Sequence, residues 1–341
     1  MMNDNLVFDA ACKMFGDLAP VALKLVEAKQ APQQLWRAFD DAGFAEALAD
    51  PGWSGVTDAV AILRAAGRAA APGPFAERML AHKLAIKLKL TDDASSPLGK
   101  SAGDLLAAFA APKHLGEAVI APWPQQHAHA IALLPNCWAQ LDVNAFTRST
   151  FSPGTHNYAG EPQQWLQLNG ASLKPYPSGT SFEDLRLFGA LARAAQMHGA
   201  MEHVLALTAD YANTRVQFGK PLGKQQAVQQ QLAVMAEEVA ATGVAVEFAA
   251  RRMAAAHEPH LVWQAVASAK IRSGEAASKA AEIAHQIHAA IGFTQEYQLQ
   301  HYTRRLWTWR DEFGAESEWA RELGRRIATR GAGQVWGVLT E

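Results

Sequence analysis

Apolar residues fall along the chain in three textures. In residues 1 to 112 they recur at helical spacing over short stretches: Leu35, Phe39, Phe44 and Leu48 form one run, and Val60, Leu63 and Ala66 another. Asp50-Pro51-Gly52 and Ala71-Pro72-Gly73-Pro74 interrupt the pattern, because proline cannot continue a helix. Several short helices are predicted here. From 113 to 180 the apolar pieces are brief and bounded by prolines, as in Ala118-Val119-Ile120-Ala121 and Ala130-Ile131-Ala132-Leu133-Leu134. Asn157, Gly160, Pro162, Asn169, Gly170, Pro175, Pro177 and Gly179 punctuate the rest, which predicts a few short strands with long turns.

From Ser181 to the end the texture is helical. Ser181-Phe182-Glu183-Asp184 has the form of a capping box, in which hydroxyl and carboxylate satisfy free N–H groups of a first turn. The helix it starts runs to about Thr214, and Ala192, Ala195 and Gly199 keep one face small enough for a neighbouring helix to approach closely. Val228, Leu232, Met235, Val239, Val246 and Met253 make the apolar stripe of a second helix. A third spans about Leu261 to Ile291, a shorter one carries Leu299, Tyr302, Leu306 and Trp309, and the last carries Trp319, Leu323 and Ile327. Five antiparallel helices joined by short connections form a bundle. The expected fold is therefore mainly α: an N-terminal helical domain (1–112), a small middle β domain (113–180) and a C-terminal antiparallel helical bundle (181–341).

Composition narrows the function classes. The chain of 341 residues is 49% hydrophobic and 19% charged, which suits a well-packed core. A net charge of −2 supplies no basic surface for nucleic acid or an anionic membrane. Cys12 and Cys137 cannot build a disulfide framework and lack metal-ligand spacing. The start, Met1-Met2-Asn3-Asp4-Asn5, has no basic run leading into an apolar one, and no apolar stretch approaches the roughly 20 residues of a membrane span. A soluble, cytoplasmic protein is expected.

Two segments carry candidate chemistry. Arg215-Val216-Gln217-Phe218-Gly219-Lys220-Pro221 precedes Gln226-Ala227-Val228-Gln229 at a break between two helices. Its backbone reads as a helix end, with glycine accepting the left-handed conformation, while Arg215 offers a planar fork suited to a diphosphate. Further on comes Gln286-Ile287-His288-Ala289-Ala290-Ile291-Gly292-Phe293-Thr294, whose small residues let a cofactor pass close to helix backbone. In this order and separation the two segments resemble those of the acyl-CoA dehydrogenase flavoproteins. The α, β and helical-bundle layout agrees with that family, as do Tyr297, Arg304 and, more loosely, Leu35-Trp36 with Gly43-Phe44 and Gly67-Arg68 with Pro72 and Pro74.

The resemblance implies FAD as cofactor and an acyl-CoA thioester as substrate, desaturated between its α and β carbons. Electrons would pass to an electron-transfer flavoprotein. It implies FAD contacts from Arg215, Gln217, Phe218, Gln226, Gln286 and Ala290, partly across a subunit interface, hence an oligomer. Ala289 and Ala290 replace the two glycines usual in the family. Removing an α-proton needs a carboxylate base. Counted without gaps, the family's commonest glutamate position falls on Phe313, with Glu312 and Asp311 beside it, and a second family position falls on Gly189, with Glu183 nearest. Glu312 is the candidate base, and its other reading is a solvated or ion-paired acid beside Arg310; Glu316 is a further candidate, or the start of the last helix. The β segment is short, lacks the family's Thr-Glu-Pro stretch, and offers Trp123, Trp138 and Trp165 either as core residues or as partners for a flavin ring.

Other constellations point nowhere. His285 and His288 have helical ligand spacing but no further ligand nearby in sequence, so no metal is expected. Gly331-Ala332-Gly333-Gln334-Val335-Trp336-Gly337 lacks the spacing and preceding strand of a dinucleotide loop. The arginines 304, 305, 310, 325, 326 and 330 alternate with Glu312, Glu316, Glu318 and Glu322 as on a salt-bridged helix surface. Two functions follow: a flavin-dependent acyl-CoA dehydrogenase, or a non-catalytic or partner-dependent subunit of a heteromeric acyl-CoA dehydrogenase, which the absence of an in-register glutamate favours.

Overall fold

The structure, a computed structural model, describes residues 3–49, 54–88, 90, 105–110, 118–143, 155–217, 219–256 and 258–331. The chain divides into two compact units: residues 1–62 with 71–189, and residues 63–70 with 190–341. Helical and β segments that differ in sequence texture thus share the first unit.

In that unit α1 (Asn3–Glu27), α2 (Gln33–Asp41), the first part of α3 (Val56–Arg68) and α4 (Phe75–Lys87) gather around aromatic rings. Phe15, Phe39 and Phe75 are fully buried, with Phe15 edge-on to Phe75 at 5.1 Å between centroids. Each such ring contributes about 1.5–3 kcal/mol by leaving water. Between α3 and α4 the chain turns through Gly73, at φ 150°, where an added Cβ would lie 2.5 Å from Trp36 Nε1. The same indole nitrogen donates to Pro72 O at 3.1 Å. The stop at Asp50-Pro51-Gly52 lies outside the described residues.

The sheet has strand order β5-β6-β2-β1-β3-β4-β7. Its strands are β1 (Leu105–Ala110), β2 (Ala118–Pro122), β3 (His129–Leu133), β4 (Cys137–Asp142), β5 (Thr155–His156), β6 (Pro162–Gln167) and β7 (Lys174–Pro175). Among the described residues, β1 and β3 pair in parallel and the other ladders are antiparallel. The central strand β1 lies upstream of residue 113, where the sequence pattern begins its β segment. Its residues Leu105 to Ala108 are at most 1% exposed, so both faces are apolar and the alternation that betrays a half-buried strand is missing. Leu106 and Ala108 join Val119, Ala130, Leu141 and Leu166 in one cluster on the sheet, and α4 packs against β1.

The helix α5 (Phe182–Thr214) starts at the expected cap: Asp184 N–H donates to Ser181 Oγ at 3.1 Å, and Ser181 N–H to Asp184 Oδ2 at 3.1 Å. In the second unit it is followed by a hairpin of β8 (Val216–Gln217) and β9 (Lys220–Pro221), then α6 (Gln226–Ala254), α7 (Pro259–His288), α8 (Leu299–Asp311) and α9 (Glu316–Arg330). The small face of α5 meets the end of α3: an added Cβ on Gly199 would lie 1.9 Å from Arg64 O, and one on Gly67 2.0 Å from Gln196 O. Backbone touches backbone there, and two glycines permit it. Beside the crossing, the Arg64 guanidinium grips Glu202 through Nε at 3.0 Å and Nη2 at 2.5 Å. The Met235, Val239 and Val246 stripe of α6 is buried, as its spacing predicts.

Candidate functional site

The arginine segment is a hairpin. Arg215 N–H still bonds Tyr211 O at 2.9 Å, and then the chain folds back so that Leu222 N–H reaches Arg215 O at 2.9 Å. Gly219 takes φ 77° in the turn of this hairpin, so its left-handed conformation serves a β-turn and not the helix cap expected from sequence. Arg215, Gln217 and Gln226 are exposed. Phe218 lies outside the described residues.

The glutamine segment ends α7. Gln286 is exposed and lines a groove of about 410 Å³ with Ala227, Gln230 and Gln231 of α6 and Lys279 and Glu282 of α7. The chain then turns through a short 3₁₀ segment, Ala289–Phe293, with Ala289 and Ala290 exposed. Ala289 has φ 52° and ψ −136°, a conformation open to glycine and strained for any residue with a Cβ. The backbone here adopts a shape that glycine favours, although the residue is alanine.

A three-ring contact joins the two segments. His288 Nδ1 lies 2.8 Å from Ala284 O and so carries the proton, leaving Nε2 to accept from Tyr297 OH at 3.1 Å. Tyr211 stacks on the same imidazole with centroids 4.5 Å apart. Burial holds His288 below the usual histidine range, which favours this neutral form. Tyr211 stands one turn before Arg215, and His288 two residues after Gln286, so the stack brings both segments to one end of the helical unit. Among the described residues, Arg215, Gln217, Gln226 and Gln286 commit no side chain to a hydrogen bond or ion pair. A guanidinium and three amides with free donors beside small, exposed Ala290 suit a diphosphate and its nucleoside, so the residues fit FAD.

Glu312 belongs to a different setting. It caps α8, and Arg193 Nε of α5 donates to its Oε2 at 2.5 Å; the Arg193 side chain is 5% exposed and that of Glu312 22%. The same guanidinium stands 5.4 Å from the centre of the Phe313 ring. Arg310, the neighbour expected to pair with Glu312, instead binds Glu316 through Nε at 2.9 Å to each carboxylate oxygen. That hydrogen bond draws Glu316 below the usual carboxylate range. Glu316 also opens α9, where a carboxylate favours the positive helix end. Phe313 has φ 57°, Gly314 φ 98°, and Trp319 Nε1 donates to Phe313 O at 3.1 Å, so the turn between α8 and α9 is tightly specified. A carboxylate held by a guanidinium gains less from accepting a proton than a free one does.

Sequence reasoning missed Arg193, Lys270 and Tyr211, and it weighed His288 only as a metal ligand. Lys270 is wholly buried and donates to Trp309 O at 3.0 Å and Arg310 O at 2.7 Å. The signal available was a cation on the stripe of small residues: Val266, Ala267, Ser273, Gly274 and Ala277 share its face of α7 and are buried with it. His285 hydrogen-bonds Thr303 Oγ1 at 3.2 Å and stacks on Phe293, so both histidines of that helix end serve packing.

In the first unit, Trp123 is 3% exposed, meets Trp36 edge-on at 5.0 Å and donates to Glu161 Oε2 at 3.3 Å. Trp138 donates to Pro175 O at 3.1 Å and tethers β4 to β7. Both are core residues; Trp165 of β6 is half-buried. No described helix is long and apolar enough to cross a membrane.

Known proteins resemble this chain in sequence and fold. Residues 187–324 match the family model of the acyl-CoA dehydrogenase C-terminal domain. The chain is 28% identical over 279 residues to the acyl-CoA dehydrogenase IpdE2 of Mycobacterium tuberculosis, covering 80% of each. Its fold is that of a chain in the ChsE4–ChsE5 complex of M. tuberculosis, with TM-score 0.77 and 21% identity over 96% of this chain and 98% of the other. PigA, solved with FAD and proline, has TM-score 0.79 at 16% identity, over 97% of this chain and 99% of PigA. Residues 187–324 thus match the acyl-CoA dehydrogenase C-terminal domain, and the chain is similar in sequence over 80% of its length to an acyl-CoA dehydrogenase.

Proposed function

We propose that the chain is a flavin-dependent acyl-CoA dehydrogenase that desaturates an acyl-CoA thioester and passes electrons to an electron-transfer flavoprotein. The observation that supports this reading is the Tyr211–His288 stack, which joins the helix leading into Arg215 to the helix that ends just past Gln286. FAD bound there would supply the acceptor for the β-hydride. The chain's own residues would hold the diphosphate through Arg215 and the amide side chains, with Phe218 as a further contact. The base of this reading is Glu312, whose carboxylate would take the α-proton on leaving its bond to Arg193. The three domains 1–112, 113–180 and 181–341 remain the proposed organisation.

A second reading is favoured by the Arg193–Glu312 pair itself. A carboxylate fixed by a buried guanidinium is a poor base, so a second family member would supply that group, and this chain would contribute FAD contacts in a heteromer. The ChsE4–ChsE5 complex, which contains a chain of the same fold, joins two different proteins and so supports this possibility.

The test is the visible spectrum of the purified protein, alone and copurified with a second family member, before and after anaerobic addition of acyl-CoA thioesters with straight, aromatic and steroid side chains. A flavin band that bleaches in the isolated chain supports the first reading, and one that bleaches only with a partner supports the second. Absence of a flavin band, even after reconstitution with FAD, overturns both. Glu312→Gln is expected to lower turnover about 10²–10⁴-fold under the first reading while leaving the flavin bound.

A further inference from the structure

Lys270 has no contact with water, yet it is placed as a clamp. From the middle of α7 its Nζ bonds the main-chain carbonyls of Trp309 and Arg310, the last turn of α8, immediately before the turn that carries Glu312. One turn along α7, Gly274 lets α9 close in: an added Cβ would lie 2.8 Å from Glu316 Oε2 and 3.0 Å from Glu316 Cβ. The charged groups around Lys270 come from α5, the end of α8, the turn after it and α9. Arg193 of α5 opposes a charge on the lysine, while Asp311 at the end of α8, Glu312 in the turn and Glu316 of α9 favour one.

We propose that Lys270 is a positioning residue for the 312–315 turn, holding the end of α8 from inside the helical unit, and that taking up a proton there loosens the turn. An uncharged amine has two N–H groups, matching the two carbonyls it meets. A third N–H and a full charge add a desolvation cost that the neighbouring carboxylates offset only in part. Burial, the largest influence, brings Lys270 down to about 7. An opened turn returns the side chain to water, where its ordinary value is roughly 10.4.

The sign follows from these two values. The depressed folded value means that the closed turn is most stable at high pH and loses stability as pH falls toward 7, because the open form binds the extra proton. That Glu312 faces an acyl substrate rests on the function proposed above; the clamp itself does not.

The experiment is hydrogen–deuterium exchange of the peptides covering Trp309–Glu318 from pH 7 to 9, corrected for intrinsic exchange rates, on the full chain without added flavin or substrate. In the wild type, protection of the turn is expected to rise several-tenfold from pH 7 to 9. Lys270→Arg, permanently charged, is expected to give low protection that no longer varies with pH. Lys270→Met, which cannot donate, is expected to lose protection at every pH and the slope with it. A flat wild-type profile, or a slope that persists in either variant, overturns the proposal, and the wild-type and arginine measurements decide it even if the methionine variant does not fold. Because exchange needs neither flavin nor turnover, this result is independent of the spectral test.

Discussion

The ring of Tyr211 lies on the imidazole of His288, 4.5 Å between centroids, although the two residues are far apart in the sequence. One ring belongs to the helix that leads into Arg215, the other to the helix that ends at Gln286. Removing the tyrosine ring should uncouple the two segments. Tyr211→Ala is expected to cost about 0.5–1.5 kcal/mol from the stack alone and to weaken flavin retention further. Under the proposed flavin-dependent function, flavin released on dilution and gel filtration measures the second effect, and Tyr211→Phe should retain it.

Ala289 supplies a prediction of opposite sign. Its φ of 52° suits glycine, so Ala289→Gly should stabilise the protein by about 1 kcal/mol despite the greater freedom of the unfolded chain. Urea denaturation of the two proteins at equal slope checks it.

Gly199 predicts a loss. With an added Cβ only 1.9 Å from Arg64 O, Gly199→Ala must push two helices apart, at a cost of about 3 kcal/mol or more. The melting temperature should fall by several degrees.

His198 predicts an acid limit. Burial holds it at about 4, well below its ordinary 6.5, so it stays neutral against the backbone of Gly243. Its contribution is complete above pH 6.5 and drains away as pH falls toward 4, by up to about 3 kcal/mol. Urea midpoints at pH 7 and pH 4.5 should converge in part for His198→Gln relative to the wild type.

What the sequence made legible was local. The Ser181–Asp184 cap, the buried stripe of α6 and the small face of α5 were readable because each is a pattern within one element. Leu105–Ala110 was not, because a strand apolar on both faces looks like any other alanine-leucine run. The site divides the same way. Arg215 and Gln286 stood out as segments, but the partner of Glu312 lies 119 positions away, and no spacing rule links Arg193 to it. Nearest-neighbour reasoning chose Arg310, which Glu316 claims instead.

The interleaved pairs Arg193–Glu312 and Arg310–Glu316 also bear on where this chain can be shortened. A protein ending at Asp311 would retain two cations, Arg193 and Arg310, after losing Glu312 and Glu316, the glutamates that answer them. The segment after Asp311 is therefore an electrostatic counterweight, and trimming it would leave the Arg193 charge stranded in the interior of the helical unit.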